Sequence, residues 1–509
     1  MSEATISVTP LRRALITGSV MLATIIQTLD QTIANVALPN IQGSMSATQD
    51  QVAWVLTSYI VASAVATPLT GFLASRFGRK TLFLLSVGGF TAVSILCGMA
   101  TNLTELVIFR LLQGAFGAAL VPLSQSLLLD TYPLEKHGSA MALWGMGVMV
   151  GPILGPTLGG YLTEMYNWRW VFYINLPIGA LAFLGIMATV PETRKQADLR
   201  FDMFGFALLT IGVGALQLML DRGNSEDWLS STEIVVEGMI AGLALYMFLM
   251  HMFTATNPFL RPALFRNRNL VIGLIFTFLM GIIQLAAMVL LPPFLQHLMG
   301  YPVLTVGYVI APRGIGMMVS MMLVGRLVGK IDARLLILFG LGLTVFSMWQ
   351  ISQFTLQVDM YTILQTGVLQ GFGLGFVFVP LNTLTFSRIL PEHRTEGTAI
   401  FSLIRNLGSS IGISIMVTLL ARYTQANHAI LAATVTPFRT VLQSPWLPDA
   451  WDIGTVAGVT ALNAELTRQA AAMAYSTDFM IMMVVSLAPI PLLALLRPPP
   501  PPAASIKTA

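Results

Sequence analysis

A-L-I-T-G-S-V-M-L-A-T-I-I-Q-T-L-D-Q-T-I-A-N-V-A-L-P, Ala14 to Pro39, is long enough to cross a bilayer, and Asp30 stands two-thirds of the way along it. A carboxylate at that depth costs about 2.5–3.5 kcal/mol on insertion scales. A chain keeps such a group only where it faces a wet cavity, meets a partner charge or carries a proton.

The rest of the chain is built like this stretch. It is 55% hydrophobic and 10% charged over 509 residues, with a mean hydropathy of +0.76. Soluble domains carry about 25% charged residues, so this composition belongs to an integral membrane protein. No ten-residue alternating pattern suggests a transmembrane barrel. No small-residue cleavage site follows the first apolar run, which therefore reads as a helix and not as a removed signal. A single cysteine, Cys97, excludes internal disulfides. The net charge of +4 reflects loop bias and not nucleic-acid binding.

Fourteen spans are predicted, near 14–38, 51–74, 81–100, 104–127, 138–162, 169–190, 203–221, 233–253, 269–292, 303–329, 334–353, 361–386, 396–420 and 478–497. An even count puts both termini on one side. Of 27 basic residues, 19 then fall in loops and tails on that side. Five (Arg169, Arg222, Arg422, Arg439, Arg468) fall on the other side, and three (Arg110, Arg313, Arg405) lie inside spans. The positive-inside rule makes the terminal side cytoplasmic. Only one loop is long, 421–477 on the outer side, and its second part has an amphipathic helical pattern. It reads as an interfacial connector or as a docking surface. The proline-rich tail 498–509 is expected to be disordered. Asp221 and Arg222 are expected to pair at an outer helix end, and Glu233 and Glu237 to be interfacial.

The chain also resembles itself. Gln113-Gly114 recurs as Gln370-Gly371, and Gly151 and Gly155 recur as Gly408 and Gly412, all at an offset of 257. The loop from Gly71 recurs from Gly325 at an offset of 254. Spans 1–6 thus match spans 9–14, and spans 7–8 are inserted. This gives a six-helix half at 1–190, an inserted hairpin with its loops at 191–260, and a second half at 261–497. Two parallel six-helix repeats with a site at their midplane interface are one design of secondary transporters.

Several motifs carry a resemblance: L-D-Q-T-I-A-N-V-A-L-P (29–39), G-F-L-A-S-R-F-G-R-K (71–80), R-L-L-Q-G-A-F-G-A-A (110–119), G-V-M-V-G-P-I-L-G-P-T-L-G-G (147–160), W-R-W-V-F-Y-I-N-L-P-I-G (168–179) and L-M-L-D-R-G (218–223). Together they resemble the fourteen-helix drug:proton antiporters of the major facilitator superfamily, and among those the EmrB-type inner-membrane multidrug efflux pumps. The resemblance implies an all-α major facilitator fold and export of amphipathic drugs or toxic compounds in exchange for protons, with no cofactor. It implies a bacterial inner-membrane location, and a periplasmic adaptor protein and an outer-membrane channel as partners in a tripartite pump. Gly71, Arg76, Gly78 and Arg79 match the family's gating loop. The acid usual in that loop is Ser75 here, so a latch between the halves is weaker or made otherwise.

Other readings come from the residues themselves. Gly147, Gly151, Gly155 and Gly159 share one helical face, with Pro152 and Pro156 among them. A glycine stripe lets another backbone approach closely. It reads as ordinary packing or as a bent seam between the halves, which the family associates with antiport. Asp30 and Arg110 lie at similar depth, as a static pair or as the proton-coupling pair. Arg313, Met317 and Met321 lie four apart, and with Arg405, Gln113 and Gln370 they are assigned to a substrate cavity. The alternatives are lipid-facing or packing methionines, and arginines bonded to backbone carbonyls. Three deep arginines against one deep aspartate sum to +2, a sign that favours lipophilic weak acids. No metal-ligand spacing, phosphate loop or other enzyme constellation is present. A proton-coupled importer of a metabolite, a non-transporting sensor or scaffold, and a lipid flippase are the competing functions.

Overall fold

The computed structural model describes residues 9–193, 195, 201–436, 451 and 454–498. The tail predicted to be disordered lies outside them from residue 499, as do 437–450 and 452–453 of the long loop. Seventeen helices follow in order: α1 Pro10–Ser44, α2 Gln49–Ala66, α3 Leu69–Phe77, α4 Arg79–Met99, α5 Leu103–Gly117, α6 Leu120–Thr131, α7 His137–Met165, α8 Trp170–Tyr173, α9 Asn175–Thr189, α10 Met203–Arg222, α11 Thr232–Thr254, α12 Arg268–Pro293, α13 Val303–Leu327, α14 Ala333–Ser352, α15 Met360–Phe386, α16 Arg394–Thr434 and α17 Val456–Leu487.

Among the described residues, twelve helical segments are long and apolar enough to cross a membrane. The pair α2–α3 adds a thirteenth, bent by 57° where Pro68 removes a backbone donor. The remaining predicted span, α1, is long enough to cross but less apolar than these. Its 35 residues reach about 52 Å, well beyond a ~30 Å hydrocarbon core. Asp30, Gln27, Gln31, Asn35 and its threonines are what dilute its apolarity. Its start is set by Pro10 at the first turn and by Thr9, whose hydroxyl accepts from Arg12 N.

The last two helices correct the predicted boundaries. α16 runs on to Thr434, and α17 begins at Val456, where the Thr455 hydroxyl accepts from Gly458 N at 3.0 Å. Most of the described part of loop 421–477 is therefore helix. The chain end predicted as a span at 478–497 stops being α-helical at Leu487, ahead of Pro489 and Pro491.

The internal repeat reappears as packing. Gly151 of α7 sits on Thr28 and Leu29 of α1, and its counterpart Gly408 of α16 sits on Phe278 of α12. Gly155 sits on Thr32, and its counterpart Gly412 on Ile282. Gly114 of α5 lies against the Tyr59 carbonyl, and Gly371 of α15 against the Arg313 carbonyl. Across the halves, Gly71 abuts Glu396 of α16 while Gly325 abuts Ala142 and Ser139 of α7. The two halves are thus related by a register in which Tyr59 corresponds to Arg313, and Asp30 to Met280.

The inserted hairpin α10–α11 packs beside α2 and α16. Asp202 caps α10 by accepting from Gly205 N at 2.9 Å and ties it to His251 and Phe259 N. Asp221 and Arg222 do not pair with each other. Asp221 accepts from Thr57, while Arg222 meets Glu226, Glu233 and Glu237.

Candidate functional site

Asp30 and Arg110 are both fully buried, and Arg110 Nη1 donates to Asp30 Oδ2 at 2.6 Å. The other carboxylate oxygen accepts from Gln113 Nε2 at 3.0 Å and from Asn175 Nδ2 at 2.9 Å. Asn175 is itself held by Ser94, which donates onward to the Phe172 carbonyl. The guanidinium also donates through Nε to the Val55 carbonyl at 3.1 Å and through Nη1 to Gln113 Oε1 at 2.8 Å. It lies 4.3 Å from the centre of the Tyr59 ring. Five helices thus converge on one charge pair: α1, α2, α4, α5 and α9. Such a pair is a specific arrangement and not a source of stability, because desolvation offsets most of its attraction.

A cavity of about 180 Å³ lies beside it at the interface of the halves, between α1, α7, α12, α13, α15 and α16. Arg313, Met317 and Arg405 line it, together with Gln31, Gln284 and Phe378. Arg313 donates to the Gln284 carbonyl at 3.2 Å. Among the described residues no carboxylate forms an ion pair with Arg313 or Arg405. A neighbouring cavity of about 240 Å³ reaches Tyr59 and Arg110, and shares Gln31, Leu285, Asn406 and Ser409 with the first. Gln31, next in sequence to Asp30, therefore stands between the charge pair and the two-arginine chamber.

Three residues assigned to the cavity lie elsewhere. Gln113 belongs to the Asp30 cluster. Gln370 points its amide at Met348 Sδ, 3.6 Å away inside the second half. Met321 is fully buried against Gly145, because it falls on the side of α13 that packs on α7.

The glycine stripe is also relocated. Gly147, Gly151, Gly155 and Gly159 face α1 of the same half and not the other half. Thr32 Oγ1 donates to the Gly151 carbonyl at 3.0 Å across this seam. Contact with the other half comes from different faces of α7: Gly138 meets Val328, Gly145 meets Met321, and Ile153 meets Gly314. α7 is continuous through Pro152 and Pro156, and Pro152 lines the central cavity.

At the face that carries the described chain ends, the halves are tied by Arg79 of the predicted gating loop together with Asp130 and Arg394, which the sequence reading did not select. Asp130, at the end of α6, takes an ion pair from Arg79 and another, at 2.5 Å, from Arg394 of α16. Arg79 also donates to the Pro391 carbonyl at 2.8 Å. Among the described residues, Ser75 bonds only back to the Gly71 carbonyl of its own helix. Asp130 thus makes a cross-half tie that Ser75 does not, while Glu396, which abuts Gly71 across the halves, accepts from Arg261 N of its own half at 3.1 Å. Arg76 is exposed in the last turn of α3. Gly78 has φ +92°, open to glycine at little cost, and the Glu192 carboxylate caps the helix that follows through Lys80 N and Thr81 N. Partial burial opposes the charge on Glu192, but bonds from Thr81, Thr193 and Lys80 hold it below the usual carboxylate range. Asp130, Arg394, Asn175 and Tyr59 carried no local signal; each acts only through a partner distant in sequence.

Comparison with known proteins agrees with this geometry. The Major Facilitator Superfamily model matches residues 20–413. The multidrug export protein EmrB of Escherichia coli K12 is 40% identical over 427 residues, 83% of each chain. The fatty acid resistance protein FarB of Neisseria gonorrhoeae is 38% identical over 431 residues, 84% of this chain and 85% of its own. The solved structure of the human organic anion transporter MFSD10 has the same fold, with a TM-score of 0.62 at 15% identity over 94% of this chain and 99% of that one. The chain belongs to the Major Facilitator Superfamily, as an EmrB-type multi-pass membrane transporter and not an enzyme.

Proposed function

We propose that this protein is a proton-driven antiporter that exports amphipathic compounds, lipophilic weak acids above all, across a bacterial inner membrane, with both termini cytoplasmic. The observation that carries the reading is a fully buried Asp30–Arg110 pair one residue away from a chamber walled by Arg313 and Arg405. An inward proton gains about 2.3 kcal/mol per 100 mV from the membrane potential alone. Protonating Asp30 removes the partner of Arg110 and raises the formal charge of the deep groups from +2 to +3. Substrate binding and protonation are thereby coupled through one local field, and the halves rock about the chamber. With the terminal face cytoplasmic, the Arg79–Asp130–Arg394 cluster closes the inner side.

Two unpaired arginines set the substrate sign. A buried cation without a counter-charge is costly, and an acidic amphiphile supplies that charge while Met317 and Phe378 receive its apolar body. The relative named as a fatty acid resistance protein supports the same class. The test is a pair of amphiphiles that differ only in a carboxylate or a trimethylammonium group. The carboxylate compound is exported, and Arg313→Gln or Arg405→Gln raises its KM by about tenfold, the scale of one lost charged hydrogen bond. Preference for the cation, or an anion preference untouched by both variants, contradicts the reading.

The extended helices support a site for the partner contact. α16 has 41 residues and α17 has 32, so both outrun the membrane. Their outer ends are joined by His428 to Asn463 and by Asn427 to the Ala470 carbonyl. We place a periplasmic adaptor protein, leading to an outer-membrane channel, on this pair. Ile430 and Val459 are exposed there. Ile430→Glu with Val459→Glu is expected to abolish co-purification of the adaptor and spare transport in proteoliposomes. Co-purification in full yield would mean the adaptor docks elsewhere.

A further inference from the structure

A second buried carboxylate lies in the other half. Asp478 of α17 is fully buried, and neither of its oxygens has a hydrogen-bond donor among the described residues. The boundary correction for α17 is what brings it inside, since the predicted span only began there. Its position is fixed by the repeat. In the first half, Gly98 near the end of α4 packs on Tyr173, two residues before Asn175. In the second half, Ser352, 254 residues after Gly98, accepts through its carbonyl from Ser476, two residues before Asp478. Asp478 therefore occupies the place of Asn175, the residue that bonds Asp30.

The surroundings differ in one respect. At the repeat offsets, Asp30 becomes Met280, Ser94 becomes Met348 and Arg110 becomes Gly367. The first half holds its carboxylate with an arginine, whereas the second half holds one with no cation. The helices packed on α17 supply none; His297, in the 294–298 turn that also packs on α17, is exposed, and His428 of α16 bonds Asn463 at the outer end. The charged residues of α12 and α14, Arg268 and Arg334, lie at the opposite ends of those helices. On α16, Arg394 and Glu396 lie in the first turn, Arg405 lines the central cavity and Arg422 is exposed. Tyr475, which meets the Phe294 ring edge to face, is the titratable neighbour on α17 itself. An ionised carboxylate in such a place is far more costly than a neutral one.

We propose that Asp478 is a second proton-binding site, one that holds its proton while Asp30 is ionised against Arg110. The two halves would then carry opposite protonation states in this conformation, and the pseudo-symmetric exchange between them would bring Asp478 to release. This extends the proton-coupled reading but does not depend on which compound is carried.

The test is infrared spectroscopy of the full chain in nanodiscs, following the carbonyl stretch of protonated carboxylic acids from mildly acidic to alkaline pH. Wild type is expected to show a protonated band at neutral pH that is lost on alkalinisation. Asp478→Asn lacks that band, Asp30→Asn retains it, and Asp478→Glu shifts its frequency if the Asn variant folds poorly. A band unaffected by both Asp478 variants, its absence from wild type, or a band insensitive to pH throughout overturns the proposal. Failure of the Asp30 transport assays with this band intact would strike the antiport reading alone.

Discussion

Asp30→Asn is expected to abolish uphill, proton-driven export, by at least about 100-fold, the scale of a lost proton-transfer group. Downhill exchange of substrate across proteoliposome membranes should persist, because the chamber itself is unchanged. The structural cost is also defined. The carboxylate accepts from Arg110, Gln113 and Asn175 through two oxygens. An amide offers one oxygen and turns a donor toward donors, and it leaves Arg110 without its counter-charge. Removing one partner of a buried pair costs about 3–5 kcal/mol. A lowered melting temperature is therefore expected, with insertion and monodispersity checked separately. Asp30→Glu keeps a titratable group at a different reach and should retain partial export. Normal proton-driven efflux by the Asn variant would remove Asp30 from the mechanism.

The second large effect belongs to Arg110. Its guanidinium serves Asp30, Gln113 and the Val55 carbonyl at once and lies over the Tyr59 ring. Lysine keeps the charge but loses the planar fork and the second direction of donation. Arg110→Lys should lose most export, and Arg110→Ala nearly all of it, since Ala leaves Asp30 buried with two neutral amides. In a double-mutant cycle with Asp30, the coupling energy for residues in direct contact is expected at about 0.5–3 kcal/mol. Additive losses would mean that the pair does not act as a unit.

Much of this arrangement was legible in the sequence, for identifiable reasons. Asp30 and Arg110 each interrupt a long apolar run, and counting residues from the span ends gives their depths. The repeat was legible because small residues recur where helix backbones touch: Gly151 and Gly408 mark the same crossing in each half. Face assignment was less legible. The stripe of α7 points to α1 and not across the halves, and Met321, one turn beyond Met317, already turns from the chamber toward Gly145. Periodicity states that residues share a face but not what that face meets. Span boundaries failed where hydropathy and helicity part: Pro489 and Pro491 end α17 inside an apolar stretch, while its polar N-terminal part is helical. That shift hid Asp478. The Asp130 tie was hidden for another reason, since its partners Arg79 and Arg394 lie in different halves of the chain.

The central claim is exchange of a substrate for protons. Purified protein in proteoliposomes, loaded with a pH-sensitive dye and a lipophilic weak acid at equal concentration on both sides, tests it directly. An imposed proton gradient should accumulate the acid on the side from which protons leave, and each pulse of substrate in the opposite direction should move protons against it. Substrate and protons moving in the same direction, or substrate redistribution that is indifferent to the gradient, would contradict the account.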